Sequence, residues 1–392
     1  MSGDLTKPFR EAVAEAERLI EGADFIRTEQ DLAEGYDYLA GSVRASLQAA
    51  FEYDLEHPLF INSTHQYSKQ GLDNPDAIYF HAYIKDDAEY VVTGRRGTTA
   101  DLSFQVMNGS YSPAEAPDSV AAFDDRALEV AEDGTFEVRF GPARDDVPPN
   151  YFVLAPDSSI LIVREVYSDW NTEELGRLRI HRVDTLGTVP PPVDLERVAK
   201  RYAVAAKMLV GRIHTWFAFP DWFTYKEPVN TLTAPQVTPG GLSSQFSSIG
   251  HYDLTEDEAL VVTVPKADCA YQGIQIGSAW YISTDYVNHQ TSLTAAQSHV
   301  DPDGLMRYVV SELNPGIANW LETTGHSRGV MMLRWQRLSR ELTAEDGPRV
   351  DVVKVDELAD VLPYYESQRV TPAEYAKRIE ARQVGVARRM IS

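Results

Sequence analysis

The sequence predicts a mainly β, α+β protein with two β-sandwich or jelly-roll-like domains, a helical N-terminal hairpin, an inter-domain helix and a C-terminal helix. Many short runs of β-branched and aromatic residues are separated by turn residues, which is typical of sandwiches and barrels. Helical spacing of apolar residues is confined to the two ends and one central stretch. A proline run at 190–192 lies between the two β-rich parts and indicates a domain boundary.

Two helices are predicted at the N-terminus and would form an αα-hairpin that packs on a sheet. The first covers residues 8–20, where apolar residues recur every three or four positions, and Gly22 is suited to end it. The second covers residues 29–53 and has a longer apolar stripe. Its stripe comprises Leu32, Tyr36, Leu39, Val43, Leu47 and Phe51.

The period then changes to that of strands. Residues 77–84 and 89–93 are aromatic and β-branched runs on either side of Lys85-Asp86-Asp87, which predicts a β-hairpin. Tyr79 and His81 would share one face of the first strand, where they fill the core or line a cavity. Further strands are predicted at 102–106, 135–140, 151–154, 160–166 and 178–183.

A helix capped by Asp194 is predicted after the prolines, with an apolar stripe up to Leu209. Residues 219–250 are rich in proline and glycine and are expected to be irregular. Such a long segment either covers a pocket or wraps the surface.

Strands in the C-terminal half are predicted at 260–264, 272–282, 306–311 and 330–335, with a hairpin turn at 299–304. Thr371 and Glu374 form a capping box that predicts a final helix, and its basic end would dock on the acidic body or on a second subunit. The expected domains are a helical segment at 1–60, a β-sandwich at 61–190, a linker and helix at 191–225, a jelly-roll-like domain at 226–350 and a helical tail at 351–392.

Charge and cysteine content narrow the functional classes. A net charge of −23 repels nucleic-acid phosphates and anionic membrane surfaces, so neither is an expected partner. No targeting segment and no apolar run of the ~18 residues needed to span a membrane is visible. The single cysteine, Cys269, cannot form an intrachain disulfide and is expected to be a buried thiol, which fits a cytoplasmic protein.

Two groups of motifs carry a family resemblance. The C-terminal strings at 273–280, 285–293 and 314–321, followed by 325–326 and 334–335, resemble domain-of-unknown-function family 1214. The strings at 74–79, 93–97, 164–165 and 169–170 are similar to the region of family 1254 that often accompanies it. The resemblance implies β-sandwich or jelly-roll domains with helical additions, and it implies no settled reaction.

The string Gly325-His326-Ser327-Arg328-Gly329 fits the G-x-S-x-G pattern of a hydrolase nucleophile. That nucleophile needs a strand before the serine and a helix after it, whereas here an irregular stretch precedes Ser327 and a predicted strand follows it. The better interpretation is a turn that enters a strand, with His326 hydrogen-bonded locally.

The segment 285–297 is the richest in hydrogen-bonding side chains. Strand alternation would place Asp285 and His289 on the face opposite Tyr286 and Asn288, and a histidine with a carboxylate partner can act as a general base. The same groups could equally form a network that anchors a loop. The histidines show no metal-ligand spacing and no nucleotide-binding loop is present, so neither a metal nor another cofactor is expected.

The first hypothesis is a cofactor-independent enzyme that hydrates, dehydrates or hydrolyses a small, largely apolar organic molecule. Its pocket would lie between the C-terminal domain and residues 219–250. The alternative is a non-catalytic small-molecule-binding or assembly protein of the same fold, with homo-oligomer contacts through its helical termini. The candidate catalytic residues are His289, Asp285 and His251, and the candidate substrate-binding residues are Tyr286, Asn288, Asn319, Trp320 and Arg334.

Overall fold

Across the part of the chain that the structure describes, four β-sheets and five helices make up the fold, which is mainly β and of the α+β class, as the sequence predicts. The computed structural model describes residues 4–109, 118–237, 242 and 244–391. None of the helices in these ranges is long and apolar enough to cross a lipid bilayer. The helices are α1 Lys7–Glu21, α2 Glu29–Phe51, α3 Leu195–Trp222, α4 Leu358–Val361 and α5 Pro372–Ile391.

The N-terminal β region contains two four-stranded sheets that share one hydrophobic core. The strand orders are β1-β7-β3-β4 and β6-β5-β2-β8. The strands are β1 Ala77–Tyr83, β2 Tyr90–Arg95, β3 Asp101–Asn108, β4 Ser119–Asp124, β5 Thr135–Gly141, β6 Tyr151–Val153, β7 Ser158–Val166 and β8 Arg177–Arg182.

The predicted hairpin of the first two strands is wrong, because β1 pairs with β7 whereas β2 pairs with β5 and β8. The turn between them carries the chain from one sheet to the other. Ala82 and Ile84 enter the shared core from one side and Tyr90 and Val92 enter it from the other, so both runs are buried without pairing.

The C-terminal β region also has two sheets around a common core. One sheet has the order β10-β11-β17-β13-β14, with β9 paired to β11, and the other has the order β16-β15-β12-β18. The strands are β9 Thr231–Leu232, β10 Gln236–Val237, β11 Phe246–Asp253, β12 Glu258–Pro265, β13 Cys269–Gly277, β14 Ser292–Thr294, β15 Leu305–Ser311, β16 Trp320–Glu322, β17 Arg328–Leu338 and β18 Arg349–Lys354.

Residues 219–250 are more regular than predicted. Helix α3 continues through Pro220 to Trp222, because Trp216 and Phe219 pack in a buried aromatic cluster that holds its last turn. Strands β9 and β10 then pair with β11, so this part of the segment completes a sheet and does not cover a pocket there. Residues 238–241 and 243 lie outside the described residues.

Helices α1, α2 and α3 share a core that includes Trp280 of the C-terminal half. The Trp280 indole donates to the carbonyl of Asp31 at 2.7 Å, which ties the helical layer to the C-terminal half. Helix α5 docks on the body of its own chain, where the guanidinium groups of Arg382 and Arg389 lie 4.7 and 4.3 Å from the centre of the Trp170 ring. Of the two docking partners that the sequence left open for the basic C-terminus, the structure shows the body of the same chain.

Candidate functional site

The predicted strand at 272–282 ends at Gly277, so residues 285–290 lie in turns and not on a strand. The two-residue alternation of side chains along a strand therefore does not apply to residues 285–290. Asp285 instead caps its own turn, since its carboxylate accepts from the backbone N–H groups of Val287 at 2.9 Å and Asn288 at 3.0 Å. The Asn288 amide also donates to it at 2.8 Å. Burial opposes ionisation, but these hydrogen bonds outweigh burial and lower the pKa of Asp285.

The predicted pair of His289 with Asp285 is wrong, because His289 faces Glu322 of β16. The distance from the His289 Nδ1 to the Glu322 carboxylate is 3.0 Å, and the Tyr375 hydroxyl donates to the same carboxylate oxygen at 3.1 Å. Pairing His289 with Asp285 requires Asp285 to lie on a strand, and it does not. Glu322 comes next to His289 only through the tertiary fold.

Tyr286 and Arg334 are buried in the interior. The Tyr286 ring contacts Trp170 edge-on at 6.2 Å, and the ammonium group of Lys69 lies 5.3 Å from its centre. Arg334 donates to the carbonyl of Leu72 at 2.5 Å and to the side-chain oxygen of Gln275. Arg334 therefore holds the chain around Leu72.

Asn319 is fully buried and forms a two-point clamp on the backbone of His299. Its side-chain oxygen accepts from the His299 N–H at 2.7 Å and its amide donates to the His299 carbonyl at 2.8 Å. The neighbouring Trp320 donates to the carbonyl of Ser311 at 3.0 Å, and its ring lies 5.3 Å from that of Tyr375. Asn319 therefore fixes the backbone of His299, whereas Trp320 packs beside Tyr375.

His251 lies apart from these groups. Its Nε2 is 2.9 Å from the carbonyl oxygen of Glu227, and its ring meets the ring of Tyr225 at 5.3 Å. Ser327 immediately precedes β17 and its carbonyl accepts from Leu254 at 2.7 Å, so the predicted turn into a strand is confirmed.

Two adjacent clefts lie where the N-terminal end of α5 meets the C-terminal β region. They share Val370 and have volumes of about 470 and 300 Å³. The larger is lined by polar side chains, whereas the smaller has a more apolar wall. The larger is lined by Gln297, Ser298, His299, Ala318, Ser367, Gln368, Arg369, Val370, Glu374 and Arg378, and the smaller by Asn314, Gly316, Ile317, Val370, Thr371, Pro372 and Tyr375.

A histidine and a carboxylate converge at the larger cleft. The Nε2 of His299 lies 3.4 Å from a carboxylate oxygen of Asp301 and 3.4 Å from the Ser367 hydroxyl. The His299 side chain is 28% exposed, whereas that of Asp301 is fully buried. Arg307 and Gln368 hold the Asp301 carboxylate, the latter with a hydrogen bond of 2.9 Å. The imidazole is therefore open to solvent on one side and backed by a fixed anion on the other.

Two further charges line the same cleft. Arg378 lies 3.3 Å from the carbonyl of Ala318, and burial lowers its pKa. The Glu374 carboxylate accepts from the N–H and hydroxyl of Thr371 at 2.8 and 2.7 Å, and these hydrogen bonds lower the pKa of Glu374. The cleft therefore presents a guanidinium group, a carboxyl group and an imidazole.

A metal site needs several His, Cys, Asp or Glu side chains close together. Across residues 4–109, 118–237, 242 and 244–391, no three His, Cys, Asp or Glu side chains are placed to hold a metal ion together.

No model of a known protein family matches the chain, and none of the curated proteins matches it. Among solved structures, an uncharacterized protein from Burkholderia cenocepacia is similar over 91% of this chain and 98% of its own, with 30% identity and a TM-score of 0.81. The chain belongs to the family of that Burkholderia protein. The VPA0106 protein from Vibrio parahaemolyticus matches 88% of this chain and 100% of its own at 14% identity, with a TM-score of 0.47.

In this member of the Burkholderia protein's family, the residues that line the His299 cleft are not among those that the sequence predicts to be functional. His299 and Asp301 were interpreted only as parts of a hairpin turn, and Arg378 only as part of a basic tail. The available signal was the His-x-Asp spacing, which places an imidazole and a carboxylate on the same side of an extended chain. That spacing is common and would not have singled out this pair without the cleft.

Proposed function

We propose that the chain is an enzyme that performs acid–base chemistry on a small organic molecule bound at the His299 cleft. Hydration, dehydration or hydrolysis without a resident cofactor suits the groups present. One observation carries the proposal: a partly exposed imidazole, backed at 3.4 Å by a buried carboxylate, lies in a solvent-connected cleft.

The dimensions and walls of the two clefts support a substrate with an apolar body and a polar or anionic end. Volumes of about 470 and 300 Å³ fall in the range of small-molecule sites. The apolar body would lie against Ile317, Pro372 and Tyr375 in the smaller cleft. The polar end would then face His299 and Arg378 in the larger one.

Each polar residue has a role that follows from its surroundings. His299 would take a proton from the substrate or from water and return it, because an imidazole changes charge near neutral pH. Asp301 would stabilise the charged imidazole without leaving its own bonds to Arg307 and Gln368. Arg378 would hold an anionic end of the substrate with its guanidinium group.

A non-catalytic binding or assembly protein is the second candidate. It is favoured by the partners of the sequence-predicted site residues, since Asn319, Arg334 and His289 bind groups of the chain itself. In that case the cleft would bind its ligand and release it unchanged.

A thermal-shift screen with hydroxylated terpenoid, steroid and aromatic acids tests both candidates. A ligand at one hundred times its Kd stabilises the folded state by roughly 2.7 kcal/mol. We expect hits to stabilise the wild type and the control His214→Gln equally. His214 is an exposed residue of α3 and is far in sequence from the residues that line the cleft. The variant His299→Gln should respond less to the same hits.

Product analysis of each hit then separates the two candidates. Conversion by the wild type that is lost in His299→Gln supports the enzyme, and binding without conversion supports the binding protein. A screen in which every hit stabilised the wild type, His299→Gln and Arg378→Met equally would contradict a site at this cleft.

We also propose the finer assignments that the sequence suggests. Each pair of sheets with a common core would be a β-sandwich, jelly-roll-like in the C-terminal half, with domains at 61–190 and 226–350. The common core of each pair supports this assignment. Membership of domain-of-unknown-function family 1214 and a cytoplasmic location belong to the same proposal, the latter supported by the single Cys269.

A further inference from the structure

One face of strand β1 points away from the N-terminal core. Ala82 packs in that core, whereas Tyr79, His81 and Tyr83 alternate onto the opposite face. All three remain partly exposed, although they lie between the sheet and other parts of the chain. Polar side chains at such a depth that still have accessible surface line a crevice.

Aromatic rings continue this face in both directions. The Tyr83 ring lies 4.4 Å from that of Tyr53, and the rings of Tyr79 and His81 are stacked at 6.3 Å. Tyr286 joins this group through Lys69, whose ammonium group lies 5.3 Å from the centre of the Tyr286 ring. Burial together with the charges of Asp73 and Tyr79 raises the pKa of Tyr286. We call this row the β1 crevice, and it comprises Tyr53, Tyr79, His81, Tyr83 and Tyr286.

Two hydroxyl groups of the β1 crevice are unused. Within the described part of the chain, the Tyr83 and Tyr286 hydroxyls make no hydrogen bond to another residue, whereas the Tyr53 hydroxyl donates to Ser63 at 3.3 Å. Burial raises the pKa of Tyr83 to about 12, so this hydroxyl keeps its proton and can donate it. Burial lowers the pKa of His81 to about 3, so its ring is neutral.

Two partly exposed cations, Lys69 and Arg212, border the β1 crevice, and their hydrogen-bond partners among the residues described are all neutral. Lys69 donates to the carbonyls of Ser283 at 2.7 Å and Thr284 at 3.0 Å, and its ammonium group lies over the Tyr286 ring. Arg212 donates to the carbonyl of Lys69 at 2.6 Å, to the Ser42 hydroxyl at 3.2 Å and to Gln70.

The carboxylate of Asp73, whose charge acts on both Lys69 and Arg212, is committed elsewhere. It accepts from the N–H and the hydroxyl of Ser283 at 3.1 and 2.8 Å. Removing a cation from water costs free energy that only a close anion restores. An anionic ligand would therefore gain most binding free energy beside Lys69 and Arg212.

We propose that the β1 crevice binds an organic carboxylate with a planar, apolar body, at a site separate from the His299 cleft. The carboxylate would accept hydrogen bonds from the free hydroxyls of Tyr83 or Tyr286 and lie near the charges of Lys69 and Arg212. The planar body would stack on the rings of the crevice, which favour flat partners.

Isothermal titration with cinnamate and with its neutral amide, cinnamamide, tests this proposal. We expect the wild type to bind cinnamate more tightly than cinnamamide. Tyr83→Phe and Tyr286→Phe each remove a hydroxyl without a protein partner, so both should fold normally, and at least one should bind cinnamate about tenfold more weakly. The control Tyr67→Phe changes a ring that is 63% exposed and should bind like the wild type.

Two further variants locate the site. Lys69→Met should remove the preference for cinnamate over the amide, and the two tyrosine variants keep the test valid if Lys69→Met does not fold. His299→Gln should bind cinnamate normally, since the His299 cleft is a separate site. Cinnamate affinity that is absent, unchanged in both Tyr83→Phe and Tyr286→Phe, or reduced only in His299→Gln would overturn the proposal.

Discussion

Replacing Asn319 by alanine tests the clamp that places His299 in its cleft. The Asn319 side chain is fully buried and bonds to both the N–H and the carbonyl of His299, at 2.7 and 2.8 Å. Asn319→Ala removes both the side-chain oxygen and the side-chain NH2 group that make these two bonds. Both backbone groups of His299 then lose their partner, and the loop from Gln297 to Asp301 is free to shift.

The size of the effect follows from those two bonds. An unpaired buried polar group costs about 1–3 kcal/mol, so two such groups set an upper limit of about 6 kcal/mol. His299 is partly exposed, so water can replace some of what is lost. We therefore expect Asn319→Ala to lower the free energy of unfolding by about 2–4 kcal/mol.

Urea unfolding followed by tryptophan fluorescence and circular dichroism measures this change. The matched control is Asn288→Ala, which removes an exposed asparagine and should cost less than about 1 kcal/mol. Equal effects of the two substitutions, or a loss below about 0.5 kcal/mol for Asn319→Ala, would refute the clamp.

Three other residues give predictions that need no ligand. Cys269 is partly buried, and this burial raises its pKa to about 11, so iodoacetamide should label the thiol slowly at pH 8 and faster in urea; equal labelling rates in the folded and unfolded chain would contradict this protection. Burial opposes the charge of His326, but Glu34 at 2.8 Å outweighs it and raises the pKa of His326. The stability from this pair should be complete below the ordinary histidine pKa of about 6.5 and be lost as pH rises through the raised value, and His326→Gln should remove that slope in urea unfolding from pH 5 to 9. A Cβ at Gly250 would lie 1.9 Å from the carbonyl oxygen of Thr231, so Gly250→Ala should cost about 2 kcal/mol or more in thermal unfolding, and an unchanged midpoint would argue against the pairing of β9 with β11.

Features set by neighbouring residues could be predicted from the sequence. The Asp194 cap of α3 is confirmed, because its carboxylate accepts from the N–H of Arg197 at 2.7 Å. The capping box of Thr371 and Glu374 is confirmed in the same way at the start of α5. Such bonds join residues three apart, so the local sequence contains both partners.

Pairings between distant segments could not be predicted in this way. The sequence correctly predicts a turn after β1. A turn does not determine whether the next strand stays in the same sheet, and β2 enters the opposite one. The partner of His289 proved to be Glu322, which no local spacing indicates.

The cleft around His299 shows the same limit. Its walls come from segments 297–299 and 367–378 and from Ala318, which approach one another only when α5 and the residues before it fold back on the C-terminal sheets. Asn319 and Trp320 were predicted to touch substrate, and the structure places both around the cleft as supports of its walls.

A crystal structure of the chain with the best hit from the thermal-shift screen is the most direct test of the His299 cleft. We predict electron density for the ligand in the cleft, with its polar end within hydrogen-bond distance of His299 or Arg378 and its apolar body against Ile317 and Tyr375. Ligand density elsewhere, with only water beside His299, would contradict the assignment of this cleft as the functional site.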